Sequence, residues 1–465
     1  MNKKVFVLFP DGVGLRNFAL TNFKQEGEKQ GVDVWYWNIT DFSITDSLNF
    51  QELKIEDKTT HILTQLYSRV RKRKELNYWT KKFNDEVYQT YKFPLLYNSL
   101  RNIVKSSFMS AYIGLGSSEK DIIKLREKIK KTEKGTSKFA YCKNQLQKHK
   151  PEMVLCTSQR STQAIAPLLA AKELGIPTAT FIYSWDNVPK AMLVVETDYY
   201  YVWSEHMKKE LLYYYSFISE DQVKVTGTPQ FEPHYDASLV MSKANFFKKY
   251  NLDLEKKYIC FSGDDETTSP LDQYYLEDLA KAVRALNKEN YNLGIIYRKC
   301  PVDFTDRYNP ILENYKDVII PLAPIWKPIG KNWDQIVPSK DDFQMLVNVC
   351  VHTEMVTNVC SSTVFDFVIH DKPCIYYNYE QPQLKKGIRD IGQNYKYVHF
   401  RSMPSEDAVV WAKSKTELKS KVQLLLDKNV NPVPLTKQWF SRIVGETPSK
   451  SSETIWKTIS ELINA

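Results

Sequence analysis

EMVTNVCSSTVFDFVIHDKPCIYYN, residues 354–378, holds three patterns in succession. Glu354–Val359 is a short, β-branched apolar run and predicts a buried strand. Ser361–His370 has the spacing of a helix and opens on small hydroxyl residues suited to a first turn. Pro373–Asn378 is a second apolar run and predicts a second strand. A strand, helix and strand in this order require a crossover, and crossovers join parallel neighbours. The stretch is one unit of an α/β sheet.

The same alternation extends upstream. Tyr258–Ser262 reads as a strand, Leu271–Lys288 as a helix and Asn292–Tyr297 as a strand running into Arg298-Lys299-Cys300-Pro301. Asp317–Ile320 is a further strand, followed by a Pro/Trp loop over Pro321–Ser339 and a helix over Asp341–Cys350. An independent set occupies the first half. Lys4–Pro10 is a strand, Asp11-Gly12-Val13-Gly14 a turn, Arg16–Gly31 a helix and Val32–Asn38 a strand. Met153–Thr157, Pro177–Tyr183, Asp198–Trp203 and Gln222–Thr226 are strands, with helices over Ser161–Leu174 and Glu205–Tyr214. The polar stretch 47–150, dense in Lys, Arg and Tyr, reads as a largely helical insertion. The expected architecture is α/β: a Rossmann-like domain over 1–235, a second over 236–430, and an amphipathic segment over 431–465.

With 465 residues the chain exceeds one ordinary core, and 43% apolar with 26% charged residues excludes a disordered or fibrous chain. Its 64 Lys+Arg against 55 Asp+Glu leave a net charge of +9. That excess favours an anionic partner such as a nucleotide, a phosphorylated acceptor or a membrane face. No DNA or RNA motif accompanies it, so no nucleic-acid partner is expected. Seven scattered cysteines without a C-x-x-C pair read as reduced thiols in a cytoplasmic protein. The start lacks the pattern of a signal peptide and no apolar run is long enough to span a bilayer, so membrane contact is expected to be peripheral. Arg69–Lys82, basic and aromatic, is the stretch for such contact, against the plainer reading of a solvated helix face.

Gly12-Val13-Gly14 follows the first strand but is no dinucleotide fingerprint, because Asn17 stands where a third glycine belongs. It remains a turn through which backbone approaches a ligand. Cys360-Ser361-Ser362-Thr363, at a strand-to-helix turn, offers free N–H groups and hydroxyls to an anion, with Asp366 one turn further on. Arg298 and Lys299, at another strand end, are cations for a diphosphate leaving group. In the first half Asp11, Asp186, Glu196 and His206 stand near strand ends or helix starts as proton acceptors. Trp185 and Asn187 beside Asp186 suit a sugar or polyol face. His352, His370 and His399 have no metal-site spacing and read as structural, and no metal or cofactor is expected.

Taken together, DGVG at Asp11–Gly14, SWDN at Ser184–Asn187, VWSEHMKKEL at Val202–Leu211, VTGTPQF at Val225–Phe231 and SSTVFDFVIHDKPCIYY at Ser361–Tyr377 carry a resemblance. The chain resembles bacterial cell-surface glycosyltransferases of the GT-B type, including the relatives of CDP-glycerol glycerophosphotransferases. The resemblance implies two Rossmann-like domains facing a cleft, with a C-terminal helix crossing back to the N-terminal domain. It implies a nucleotide-sugar donor held by Gly12, Gly14, Gly263, Arg298, Lys299, Trp333, Ser361, Ser362, Thr363 and Asp366. The acceptor, a cell-surface glycan or lipid-linked hydroxyl, would meet Arg16, Trp185, Asn187 and His206. Asp11 or Asp186 would serve as base and Arg298 would stabilise the departing phosphate in a metal-independent transfer. Relatives often carry His-Pro where this chain has Cys300-Pro301, so no catalytic His is carried over there. Two alternatives stay open: transfer of a polyol phosphate from a CDP-alditol, and an inactive nucleotide-sugar-binding protein. A UDP-sugar epimerase is a weaker third, on Gly227-Thr228-Pro229 alone.

Overall fold

The computed structural model describes residues 3–328, 336–385, 388 and 390–464. The chain divides into two compact units: Met1–Gln230 with Ile443–Ala465, and Phe231–Pro328 with Ile336–Arg442.

The first unit is built on seven strands: β1 (Lys3–Phe9), β2 (Val32–Asn38), β3 (Glu52–Lys54), β4 (Met153–Cys156), β5 (Thr178–Phe181), β6 (Tyr199–Val202) and β7 (Val223–Val225). They lie in the order β3-β2-β1-β4-β5-β6-β7, and every pair is parallel. Val5–Phe9, β4 and β5 are buried along their whole length, as parallel strands covered on both faces must be. The strand order reverses between β1 and β4, which makes the carboxyl ends of those strands the switch point where such sheets receive ligands.

The insertion folds into four main helices, Ile62–Phe83, Leu100–Gly114, Glu119–Lys134 and Ser137–His149. A buried ion network joins it to the sheet. The two oxygens of Glu75 bind Arg71 and Arg126, and Arg126 also meets Glu196. Arg71 and Arg126 then donate to the carbonyls of Ala191 and Leu193, which follow β5. Arg69–Lys82 is therefore not one solvated face: Arg71, Lys74 and Trp79 within it are buried.

The expected helix Arg16–Gly31 is two helices, Leu15–Phe18 and Phe23–Lys29. Thr21 breaks it: its hydroxyl donates to the Asn17 carbonyl at 2.6 Å and accepts from the Phe23 N–H at 3.3 Å. The tail holds the helices Leu418–Leu426, Val433–Val444 and Ser451–Asn464. The last of them packs on Phe23–Lys29 within the first unit, where Trp456 donates to the Phe23 carbonyl at 2.6 Å. Gly227 has φ +75°, and a Cβ there would lie 2.4 Å from the Ser451 hydroxyl. The Gly227 turn is thus shaped by the docking of this segment.

The second unit repeats the plan with β8 (Lys257–Ser262), β9 (Leu293–Arg298), β10 (Ile319–Leu322), a short antiparallel pair β11 (Trp326–Pro328) and β12 (Ile336–Pro338), β13 (Val356–Asn358), β14 (Cys374–Tyr377) and β15 (Val410–Ala412). The parallel sheet runs β10-β9-β8-β13-β14-β15. Its switch point lies between β8 and β13, and its core is formed by helix Asp272–Asn287 against β8 and β9.

Candidate functional site

In the second unit the carboxyl ends of β8 and β13 bring together three hydroxyls. Ser262 ends β8, and its Oγ lies 3.2 Å from Oγ1 of Thr363, the first residue of helix Thr363–Val368. Thr363 Oγ1 lies in turn 2.9 Å from Ser361 Oγ, which accepts the Thr363 N–H at 3.3 Å. Cys360 holds the turn at φ +48°, a strained value for a residue with a side chain. Its N–H donates to Tyr395 Oη, while Tyr376 Oη donates to the Ser361 carbonyl. The turn is held from below, and Ser361, Ser362 and Thr363 stay half-buried at the lip. Ser362 precedes the helix without a side-chain capping bond.

The cations expected here are largely occupied. Arg298 ends β9 beside Ser262 in register. Its Nη2 donates to Asp342 at 2.8 Å, and Asp342 also accepts from Trp326 Nε1 and the Ile325 N–H. The ion pair cancels the charge that was expected to face a leaving group. What Arg298 retains is Nη1, buried and without a hydrogen-bond partner among the described residues. Lys299 donates to the Thr305 carbonyl at 2.6 Å. A Cβ at Gly263, which follows Ser262, would meet the Tyr297 ring at 3.1 Å and the Tyr308 hydroxyl at 3.2 Å. Next to it Asp264 is held well above the usual carboxylate range, by burial first and then by the charges of Asp272 and Asp265. Trp333 lies outside the described residues.

Asp366 does not face this lip. Its Oδ1 lies 2.9 Å from Nε2 of the buried His234, and Nδ1 of His234 lies 3.0 Å from Nε2 of His370. A carboxylate only accepts, so His234 donates through Nε2 and receives the Nε2–H of His370 at Nδ1. The requirement that a buried carboxylate be paired explains why Asp366 turns inward.

In the first unit, charged groups gather at the carboxyl ends of β1, β4, β5 and β6. Asp11 accepts the Val13 N–H at 3.3 Å and caps the glycine turn. Gly12 and Gly14 are buried, and a Cβ on Gly14 would lie 2.3 Å from Thr157 Oγ1 at the end of β4. Close strand-end packing therefore accounts for Gly14. The phenol of Tyr183 is raised by burial and feels Arg16, Arg160, Asp11 and Asp186 together. Asp186 accepts from Asn187 Nδ2 at 2.8 Å and is ion-paired with Lys190. Trp185 and Asn187 are only 6% and 3% exposed, so neither presents a face to a sugar. Asn187 instead accepts from the buried Gln159, whose other amide atom accepts the Tyr183 N–H. His206 lies 3.8 Å from Glu210, one turn on along helix Glu205–Tyr214. Glu196 belongs to the Arg126 network. Burial would raise its carboxyl, but Arg126 and Lys130 more than offset that and hold it low.

Sequence reasoning missed Glu210 and Gln159. Burial, then the charge of Asp186, pushes Glu210 up to about 8. The i, i+4 spacing from His206 was visible, but nothing in the sequence marks its desolvation. Among the described residues no group of His, Cys, Asp and Glu converges as metal ligands do, and no helix is long and apolar enough to cross a membrane.

No family model matches the sequence, and no curated protein does. Solved structures do match in fold along nearly the whole chain. The UDP-GlcNAc 2-epimerase of Neisseria meningitidis bound to UDP-GlcNAc is 10% identical with a TM-score of 0.56, over 98% of this chain and 100% of that one. The UDP-GlcNAc 2-epimerase of Methanocaldococcus jannaschii is 14% identical with a TM-score of 0.51, over 98% and 99%. A glycosyltransferase of Rickettsia africae is 10% identical with a TM-score of 0.52, over 100% and 99%. With its two Rossmann-like sheets, the chain has the GT-B fold.

Proposed function

We propose that the chain is a nucleotide-sugar enzyme whose second unit holds the donor's phosphates at the carboxyl ends of β8 and β13. The observation that carries this is the linked hydroxyl set Ser262–Thr363–Ser361 at the switch point of that sheet. Hydroxyls rotate, so three of them at one lip turn donors toward phosphate oxygens without a change of backbone. The Nη1 of Arg298 beside Ser262, unpartnered among the described residues, is a further donor, and Asp264 in its protonated form another. Supporting context comes from neighbours of the same fold described as binding UDP-GlcNAc or as a glycosyltransferase.

The reaction we favour is sugar transfer to a hydroxyl acceptor of the glycan or lipid-linked kind. The bond from the anomeric carbon to the donor phosphate breaks, the acceptor oxygen forms the new bond, and its proton passes to a carboxylate base. Asp186 is a poor base because Lys190 and Asn187 occupy it. Asp11 and Glu210 are the other candidates, Glu210 as a base only on the alkaline side of about 8. The donor phosphate leaves onto hydroxyls and N–H groups rather than onto an uncompensated cation, so no metal is assigned.

A second reading, UDP-sugar 2-epimerisation, draws on the full-length likeness to two epimerases. The two readings separate in one experiment. The protein is melted with UDP, CDP, CMP, GDP or buffer, with and without EDTA. A ligand at about 100 times its dissociation constant adds roughly 2.7 kcal/mol. One nucleotide should raise the melt, and Ser262→Ala with Thr363→Val should abolish that rise. The matching nucleotide sugars are then incubated with and without acceptor. Nucleoside diphosphate release that needs acceptor supports transfer; an isomerised sugar nucleotide without acceptor supports epimerisation. No melt shift with any nucleotide at millimolar concentration would sink both.

A further inference from the structure

Within the helical insertion, helix Ile62–Phe83, the following loop and helix Leu100–Gly114 enclose a cavity of about 330 Å³. Its wall carries Arg69, Lys72, Arg73, Lys92 and Lys105, and none of the lining residues is acidic. Leu76, Leu95, Leu96 and Met109 supply much of the rest of the wall. Cations and hydrocarbon alternate there, in a space the size of a small polar head group.

Several of these cations rest on neutral acceptors. Arg73 donates to the Phe93 carbonyl, and Lys92 to the side-chain oxygens of Asn77 and Gln89. Lys72 lies 5.6 Å over the Phe93 ring. The mutual repulsion is felt. Burial, and then Arg71, Lys190 and Arg160, push Lys72 down to about 8, with only Asp186 opposing. Burial, then Arg69 and Arg101, lower Lys105; burial, then Arg73, lower Lys92. An anion in the cavity would favour the charged form of each lysine and so offset this repulsion.

Around the cavity, large apolar side chains stand in solvent. Phe93 is 75% exposed, Leu100 84% and Val104 70%, and Leu96, Tyr97 and Ile103 add to them. Leu100, Ile103 and Val104 share one face of the helix, whose Ser106 and Met109 line the cavity. An apolar rim beside a cationic hollow is the pattern of surfaces that meet lipid, where hydrocarbon enters the acyl boundary and cations take the head group. A soluble phosphate would use the cations but leaves the rim without purpose.

We infer that this cavity binds the phosphate head group of an anionic membrane lipid, with Phe93, Leu100 and Val104 entering the bilayer around it. The site lies wholly in the insertion of the first unit and is independent of the donor reading, so failure of either leaves the other standing.

The test is co-sedimentation of the full-length protein with vesicles of phosphatidylcholine alone or mixed equally with phosphatidylglycerol. The mixed vesicles should bind at least about tenfold more tightly, since five basic groups line the cavity that meets the anionic surface. Lys105→Glu should lower that affinity about tenfold or more. Leu100→Gln with Val104→Gln, both on the exposed face and so harmless to folding, should do the same. Lys81→Glu with Lys82→Glu, on helix Ile62–Phe83 but outside the cavity, should change it less than about threefold. Equal binding to both vesicles, retention by the Leu100/Val104 pair, or an equal loss in the Lys81/Lys82 pair would overturn the proposal. So would a melt raised by inorganic phosphate with no vesicle binding, which would mark a site for soluble phosphates.

Discussion

His370 should make the second unit acid-sensitive in a way that one substitution removes. Burial, and then the neighbouring His234, lower its imidazole from 6.5 to about 4, against the weaker pull of Asp366. Lys372 opposes protonation as well, and Asp371, itself ion-paired with Lys437, favours it. A pKa lower in the folded than in the unfolded chain means that unfolding takes up a proton between the two values. Stability is therefore complete above about 6.5 and falls as the pH drops toward about 4. At about 1.4 kcal/mol per pH unit the full loss is about 3 kcal/mol, and at pH 5 about 2 kcal/mol. Hydrogen exchange of peptides covering 229–235 and 363–370, corrected for intrinsic rates, should show opening about thirtyfold more frequent at pH 5 than at pH 7.5. His370→Gln keeps an N–H donor for His234 Nδ1 but cannot take up the proton, so its acid loss should shrink to that of the remaining groups. An unchanged acid response in the variant would refute the assignment.

Three further outcomes follow from other contacts. Glu75→Ala leaves Arg71 and Arg126, which are 2% and 4% exposed, without a shared carboxylate; the first unit should lose about 3–5 kcal/mol in denaturant unfolding. Gly27→Ala places a Cβ 2.6 Å from the Trp456 ring and 2.7 Å from Val34, which should cost about 1–3 kcal/mol and expose the final helix to protease; unchanged cleavage would rule out that packing. If Glu210 takes the acceptor proton, the rate should rise through a limb near 8, and Glu210→Gln should erase that limb in a pH–rate profile.

Much of the sheet framework was legible because a buried parallel strand is a nearly continuous apolar run. Val32–Asn38 and helix Glu205–Tyr214 match the expected spans residue for residue. What escaped were β3, β15 and the β11–β12 pair, three residues each and held through their neighbours; β7 and β13 are equally short but were expected from the α/β alternation around them. The candidate site was legible by position and less so by role. Ser361 and Thr363 stand where the strand-to-helix reading put them. Arg298 was read as an available cation because its partner, Asp342, lies forty-four residues away. The same limit hid the pairing of Asp366 with His234, separated by 132 residues. Asn187 looked like a ligand for sugar, but Gln159 already claims it. A polar residue's type states what it can bond, and only the fold states what it does bond.

The docking of Ser451–Asn464 on Phe23–Lys29 has a consequence for biosynthesis. Trp456, Ile455 and Ile459 are fully buried in the first unit, and Lys3 donates to Asn464 at 2.7 Å. These residues leave the ribosome only after the whole of Phe231–Arg442. The first unit thus emerges first and is completed last, with Phe23 and Gly27 uncovered while the second unit is being made. A chaperone acting on nascent chains of this protein would find its longest-lived apolar surface there.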